Sequence, residues 1–575
     1  MKDSAIVKRI WQFAKPYKWS FLLSYYVLLV ELFLWQIIPL LLEDVINFAV
    51  YEADLKKFLY AALWYALIFL GYAVCGFIQL ILWQRLHNKY VYNVRIACYR
   101  KVLRLKPKVL SDIKTGDVIR TINNDTAEFH HIIQRFAMRI LNAGIGTVVS
   151  LGIVAFMKWE IALLMTIIIP ISATICKSIE RRMKKLSDEV RTKQGEYSAW
   201  LMEILKGMRE IKLFVAEQTI LKLFIHKNKD IVDSAVKQDI VKFKADQIIN
   251  GIYFLADIVF YIICAFFVAK RSINIGQYIA IASYFSMVSW NVRRILYGNV
   301  DYQRRKTCVE RVFNLLDKEE ENADELSKLD VQGGSIEIRN VSFFYKEKKD
   351  VLKNINLQIK PGQKIGVVGQ SGVGKSTLAN LLLRFYEPQE GEILIDGQLL
   401  NNCTYSSIRD VIGIVNQENI IFDTTVRENI TFGKEAEDEV LWEILEKVYL
   451  KEEIKELPDG LDTKLGMGNI SLSGGQNQRL CIARLMFRDP KIIILDEATS
   501  SLDFESESVV QAALDVLAKD KTTIVISHRY KALLHTDNIL VLHEGEQVGY
   551  GPHDVLMAEN QYFAKMFAGQ KEVTA

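Results

Sequence analysis

Gly369-Gln370-Ser371-Gly372-Val373-Gly374-Lys375-Ser376 decides how the second half of this chain folds and what it handles. The octet follows an apolar run, Lys364–Val368, and opens a helical one, Thr377–Arg384. A glycine-rich loop between strand and helix is a phosphate cradle. Its glycines let consecutive backbone N–H groups wrap one anion, and the helix N-terminus adds further donors. Lys375 neutralises β- and γ-phosphate charge there, and the Ser376 hydroxyl can ligate Mg²⁺. The candidate phosphate-binding set is therefore Gly369, Ser371, Gly372, Gly374, Lys375, Ser376 and Thr377.

Downstream, Ile492-Ile-Ile-Leu-Asp496-Glu497 is an apolar strand ending in two carboxylates. Buried parallel strands read this way, and ligand-handling residues sit at their carboxyl ends. Asp496 is the candidate Mg²⁺ holder. Glu497 is the candidate for polarising a water placed in line with the leaving group of a phosphoryl transfer. Short β-branched runs at Ile336–Val341, Ile365–Val368, Ile492–Leu495 and Thr522–Ile526 alternate with helical ones, which predicts an α/β domain with a largely parallel sheet.

Between these motifs, Leu472-Ser473-Gly474-Gly475-Gln476 resembles the signature sequence of ABC ATPases, and it stands shortly before the Asp496-Glu497 strand as that family requires. The resemblance implies that Ser473, Gly474 and Gly475 contact the γ-phosphate bound by another nucleotide domain, with Gln476 in the same nucleotide-binding set, a role suited to a helix N-terminus. It also implies that Tyr345 stacks on adenine, Gln417 senses Mg²⁺ and faces the membrane domain, Asp503 lies in the loop crossing between nucleotide domains, and His528 contacts the γ-phosphate. One stretch departs from the family. Thr463-Lys464-Leu465-Gly466-Met467-Gly468-Asn469 lacks the two acids and the arginine usual before the signature, so the charged contacts of that loop cannot form.

The first half is of another kind. Half of the 575 residues are hydrophobic and 24% are charged, which implies segregation into apolar and soluble parts. Apolar runs at about 20–42, 59–83, 138–157, 161–179, 250–269 and 275–297 are each long enough to cross a bilayer as a helix. The third and fourth are parted only by Lys158-Trp159-Glu160. The connection after the second run carries ten Lys and Arg residues from Arg85 to Arg120, which places it, and both chain ends, on the cytoplasmic side. Both long connections are expected to be helical extensions interrupted at Pro107–Gly116 and Gly207–Val215, where short transverse helices could meet a cytoplasmic domain. The stretches Gly116–Asp125 and Glu203–Glu217 resemble the intracellular turns of ABC exporters.

No cleavable signal peptide opens the chain. Ile6, Ile10, Phe13 and Tyr17 among lysines suggest an amphipathic helix on the membrane surface. The seven cysteines have no metal or redox spacing and read as free thiols. A net charge of +4 gives no basis for nucleic acid as a partner.

The expected architecture is thus an α-helical membrane domain with six transmembrane helices of ABC exporter type over residues 1–316, a linker at 317–334, and an α/β P-loop ABC ATPase domain at 335–575. The resemblance implies two nucleotide domains sandwiching two ATP molecules with Mg²⁺. The partner would be a second copy or a homologous half-transporter in the lipid bilayer, exporting a small molecule, drug, lipid or peptide by alternating access. An importer built on the exporter fold, one half of a heterodimer, and an ATP-gated channel are the alternatives. A leader-cleaving peptide exporter is disfavoured, since no cysteine-protease domain precedes the first apolar run. A soluble ABC ATPase is opposed by the six fused spans. Glu31 and Asp257 fall near mid-membrane, where an ionisable group points to a substrate pathway, favouring a cationic or polar cargo. The competing reading is a structural hydrogen bond to Asn142 or Gln36.

Overall fold

Long helices that are apolar all round leave no face for water, and sequences of this kind build the first half of the chain. The computed structural model describes residues 3–132, 140–321, 326–345, 351–417, 419–466, 468–499 and 504–567. The chain divides into two compact units, Met1–Leu103 with Ile113–Lys318, and Arg104–Asp112 with Glu319–Ala575.

The first unit is helical: α1 (Asp3–Ala14), α2 (Lys18–Asn47) and α3 (Leu55–Leu103) come first. After α4 (Pro107–Ser111), which belongs to the second unit, follow α5 (Thr115–Arg120), α6 (Thr126–His131), α7 (Ile140–Lys206), α8 (Met208–Leu213), α9 (Glu217–Ala269) and α10 (Ile275–Leu316). Both expected interruptions therefore contain short helices. At 49 residues, α3 extends about 74 Å, far beyond a hydrocarbon core of about 30 Å.

Among the described residues, four helical stretches are long and apolar enough to cross a membrane: Ala5–Glu52, Leu55–Leu103, Ile140–Ile171 and Glu217–Ala269. The expected crossings at 138–157 and 161–179 share α7, apart from 138–139, which lie outside the described residues. Helical backbone breaks there at Lys158 (φ −159°, ψ 98°). The expected crossing at 275–297 falls on α10, where Gln277, Ser283, Ser286, Ser289 and Asn291 interrupt the apolar run.

Within this unit α2, α7 and α10 meet on one buried amide. The Gln36 side chain donates to Gly146 O (3.2 Å) and accepts from Ser150 Oγ (3.0 Å), while the Tyr284 hydroxyl donates to the Gln36 main-chain carbonyl (2.6 Å). A polar side chain in an apolar bundle needs such partners. Phe260 of α9 stacks on Phe285 of α10 at 4.1 Å within the same bundle. Toward the end of α10, the Arg311 fork grips the buried Asp125 carboxylate through two 2.7 Å bonds.

The amphipathic reading of the N-terminus holds, but its apolar stripe faces protein. Ile6, Ile10 and Ala14 share one side of α1 at four-residue spacing, and all three are buried. The Tyr90 hydroxyl donates to Ile10 O (2.9 Å), and Arg9 grips Asp317 through bonds of 2.7 and 2.5 Å while lying 4.1 Å over Phe313. Val7 and Trp11 form the exposed apolar side.

The second unit is built on a ten-stranded sheet. Its strands are β1 (Ile336–Phe343), β2 (Leu352–Ile359), β3 (Lys364–Val368), β4 (Glu390–Ile395), β5 (Gln398–Leu399), β6 (Ile412–Val415), β7 (Ile492–Asp496), β8 (Thr522–Ile526), β9 (Asn538–His543) and β10 (Glu546–Gly551), in the order β5-β4-β1-β2-β10-β9-β3-β8-β7-β6. β9, β3, β8, β7 and β6 run parallel. Their near-continuous burial reflects cover on both faces, whereas β2 alternates. The helices are α11 (Lys375–Leu382), α12 (Tyr405–Val411), α13 (Val426–Thr431), α14 (Asp438–Lys447), α15 (Lys451–Lys455), α16 (Gly474–Arg488) and α17 (Phe504–Ala518), with three short ones after β8. One core gathers β1–β4 around α11; a second gathers α13–α17 on the far face of β6–β8.

Arg104–Asp112 joins this unit through Lys106 N to Glu319 O (3.3 Å), Glu321 N to Arg104 O (2.8 Å), and Ser111 Oγ against the Tyr386 hydroxyl (3.1 Å). The expected linker ends at Asp396, in the β4–β5 turn. Its carboxylate accepts from the backbone N–H groups of Gln332, Gly333, Gly334 and Ser335 and from the Ser335 hydroxyl, at 2.6–3.0 Å. These donors outweigh partial burial and hold its pKa down at about 2. A depressed carboxylate contributes stability above its unfolded pKa of about 3.9, and that contribution fades as pH falls toward 2. Asp396→Asn is expected to cost this unit about 1–2 kcal/mol at neutral pH, after allowance for solvent screening. It should also flatten the acid side of the stability curve between about pH 4 and pH 2, read by thermal unfolding of the purified chain.

Candidate active site

Four parallel strands deliver their carboxyl ends to one edge of the sheet: the glycine-rich loop after β3, His528 after β8, Asp496 and Glu497 at β7, and Gln417 after β6. This is where an open α/β sheet places ligands. The loop closes tightly enough to require glycine. A Cβ on Gly374 (φ 111°) would come within 2.8 Å of Val351 O, and one on Gly369 within 2.5 Å of Leu542 O. Gly372 (φ 82°) has open space around it but the same left-handed backbone. Ser376 and Thr377 follow in the first turn of α11.

Lys375 is 6% exposed, and its ammonium has three partners: Gly369 O (2.9 Å), Gln370 O (3.1 Å) and His528 Nε2 (2.8 Å). The same His528 nitrogen lies 3.2 Å from Glu497 Oε1. One imidazole nitrogen cannot accept from the lysine and donate to the carboxylate at once, so the three groups share two mutually exclusive hydrogen-bond states. Burial, reinforced by the Lys375 charge, lowers the His528 pKa, which keeps the ring neutral near pH 7. Burial also lowers the Lys375 pKa, against the pull of Glu497 and Asp496. It raises that of Asp496, against a hydrogen bond from Ser376. Glu497 sits in left-handed backbone (φ 51°), its N–H donating to Ile526 O (3.0 Å). A non-glycine residue held there is strained, and strain of this kind gathers at functional positions.

Tyr345 stands just past β1. Its hydroxyl is 3.2 Å from Thr377 Oγ1 and its ring packs edge-to-face on Phe343 and Tyr386. Gln417 is exposed. Ser473 caps α16 by a reciprocal pair: its hydroxyl accepts from Gln476 N (3.3 Å), and Gln476 Oε1 accepts from Ser473 N (2.8 Å). Gly475 lets α16 approach α17, since a Cβ there would meet Ser506 Cβ at 3.0 Å. Ser473 to Gln476 head the helix of the second core and do not join the Lys375 cluster among the described residues. Asp503 lies outside the described residues.

The atypical loop before the signature is fastened to the segment after Gln417 by two main-chain bonds and one amide–carboxylate bond. Leu465 N donates to Thr424 O (2.9 Å), Val426 N to Thr463 O (3.0 Å), and Asn469 Nδ2 to Asp423 Oδ1 (2.8 Å).

In the first unit, Glu31 lines a cavity of about 900 Å³ together with Arg294, Asn142, Trp35, Tyr72 and Trp290. Trp35 and Tyr72 pack at 4.8 Å. Gln36 is committed to the α2–α7–α10 junction, and Asn142 Oδ1 is buried with no partner among the described residues. Asp257 is half-buried on α9 and is not among the lining residues. Arg294 and the aromatic wall escaped the sequence reading. An arginine pair late in an apolar run reads as a helix end, and aromatic residues are common in such runs.

A family model described as ABC transporter matches residues 352–500, and one described as ABC transporter transmembrane region matches residues 21–292. The putative multidrug export ATP-binding/permease protein of Staphylococcus aureus strain NCTC 8325 is 33% identical over 577 residues, covering 98% of this chain and all of that protein. Its counterparts in strains COL and Mu50 align with the same figures. The fold matches the structure of a bacterial Atm1-family ABC exporter with ATP bound at a TM-score of 0.84, over 97% of this chain and 99% of that one, with 24% identity. With a nucleotide-handling edge in one unit, membrane-crossing helices in the other, and relatives alike from end to end, the chain belongs to the ABC transporter family, as an exporter-type half-transporter that carries its transmembrane region and its ATPase domain together.

Proposed function

We propose that two copies of this chain form a multi-pass exporter, with both termini in the cytoplasm, in which ATP binding and hydrolysis drive alternating access. The observation that carries this reading is the division of the nucleotide machinery between two cores. Lys375, His528, Glu497 and Asp496 cluster at one edge, while Ser473–Gln476 head a helix of the other core, so a second copy supplies the signature to each cluster. Backbone N–H groups of Gly369–Gly374 and the Lys375 ammonium bind the β- and γ-phosphates, Tyr345 takes the adenine, and His528 holds the γ-phosphate. Glu497 accepts a proton from the attacking water and orients it in line. Ser376, Asp496 and Gln417 offer the oxygen donors that Mg²⁺ prefers, and the Ser376 hydroxyl favours the charged form of Asp496. Magnesium, when bound, neutralises charge building on the phosphates.

The cargo we infer is a small amphipathic molecule with a cationic or polar group. A volume of about 900 Å³ suits a drug-sized ligand, the Trp35–Tyr72 wall suits a flat apolar face, and Glu31 suits a cation, in part countered by Arg294. The multidrug export named for the staphylococcal relatives supports this class. Proteoliposomes with outward-facing ATPase domains and external ATP are expected to concentrate such a compound in their lumen. Depletion of preloaded compound would establish the importer reading. Glu31→Gln is expected to raise the concentration giving half-maximal ATPase stimulation by cationic compounds about ten-fold and to spare neutral ones. Equal response to both would remove the carboxylate from recognition.

A further inference from the structure

Arg484, midway along α16, reaches away from the signature toward the segment that follows Gln417. Its Nε donates to Asn429 O (2.6 Å), one terminal nitrogen to Asn429 Oδ1 (2.6 Å), and the other to Ile420 O (2.6 Å), three residues past Gln417. Among the described residues all its oxygen acceptors are amide carbonyls, so a half-buried cation is held there by neutral oxygens. Such charge-assisted bonds to neutral acceptors are short, strong and directional. The rings of Phe422 and Phe432 flank the guanidinium at 5.6 and 5.3 Å.

Asn429 carries the connection onward. It is 1% exposed, accepts Phe422 N (3.0 Å) and donates to Phe422 O (3.0 Å), Thr424 Oγ1 (3.0 Å) and Thr425 O (3.0 Å). Within segment 420–425, Ile420 O is therefore bonded to the arginine, and Phe422 N, Phe422 O and Thr425 O to the asparagine. The arginine is rooted in the helix that Ser473 caps.

We propose that Arg484, through Asn429, is a positioning residue that binds the Gln417 segment to the signature helix, so that a displacement of Ser473 is delivered to Gln417. The link rests on the roles proposed above for those two residues. It explains why an arginine stands at this half-buried position: a planar fork can hold two carbonyls and an amide oxygen at fixed angles, which a lysine cannot.

The test uses the full chain reconstituted in lipid, with Arg484→Gln, Arg484→Lys, Gln417→Ala and the Arg484→Gln/Gln417→Ala double variant. Arg484→Gln is expected to lower kcat on the order of ten-fold, as misplacement of a functional group does, and to leave the KM for ATP within about two-fold. Arg484→Lys, which keeps the charge and the fold but loses the fork, should show the same split to a smaller extent. The double variant should be no slower than Gln417→Ala alone, because both changes remove the same contribution. Amide exchange should quicken at Ile420–Thr425 while β7 keeps its protection. Multiplicative losses in the double variant, or unchanged exchange at Ile420–Thr425, would overturn the link alone. A Gln417→Ala chain turning over at the native rate would overturn the role of Gln417 and the link with it.

Discussion

Glu497→Gln, expressed alone and reconstituted in lipid, is expected to turn over ATP about 10²–10⁴-fold more slowly than the native chain, the range of a lost general base. The substitution keeps shape and hydrogen-bonding capacity and removes only the ability to take a proton. The residue is fixed by its backbone: φ is 51° and its N–H is bonded to Ile526 O, so an amide will occupy the place of the carboxylate. Affinity for ATP is expected to stay near native, since neither the glycine-rich loop nor Lys375 is touched. Phosphate release and fluorescent-nucleotide binding, measured on one preparation, check both statements. Turnover within about three-fold of native would remove Glu497 from the chemistry. A well-folded native chain without measurable turnover would instead show that a homologous second chain is needed.

Lys375→Ala should fail in the complementary way. The native ammonium is almost wholly enclosed, holding Gly369 O, Gln370 O and His528 Nε2. Removing it leaves two carbonyls facing the phosphate position with no cation between. Losing one partner of a desolvated charge pair costs about 2–5 kcal/mol, so nucleotide affinity should fall by about two decades or more and turnover with it. Lys375→Arg is not expected to rescue, because a planar fork does not fit a space shaped for a single ammonium. The two variants thus separate capture from chemistry: Glu497→Gln binds without cleaving, and Lys375→Ala does not hold the nucleotide. Near-native affinity in Lys375→Ala, by equilibrium binding, would contradict the geometry of the cluster.

The nucleotide edge was legible in the sequence because its chemistry admits few residues. Only glycine fits where Gly369 and Gly374 touch Leu542 O and Val351 O, and an apolar strand ending in Asp496-Glu497 has few other readings. Strand order supplied what sequence order could not, bringing the ends of β3, β8, β7 and β6 side by side. The membrane half was legible as apolar runs but not as a bundle. The break at Lys158 was visible as a charged triplet, whereas α10 hides its polarity in scattered serines and amides. Arg294 was missed because hydropathy places an arginine along a helix and says nothing of the cavity it faces. Arg484 was missed because bonds from a cation to main-chain and amide carbonyls leave no charge pattern in the sequence.

The short helix Pro107–Ser111 lies early in the chain yet belongs with the ATPase unit, Ser111 meeting Tyr386, a residue 275 positions further along. The boundary in space is therefore not a single cut in the gene. A recombination event at the linker would hand a new ATPase domain to a chain whose residues 104–112 had been selected against the old one. Viable chimaeras should be those whose parents agree at that stretch and at Glu319, Glu321 and Tyr386, or that exchange both pieces together. Inheritance, on this view, ties two distant stretches of the gene into one module.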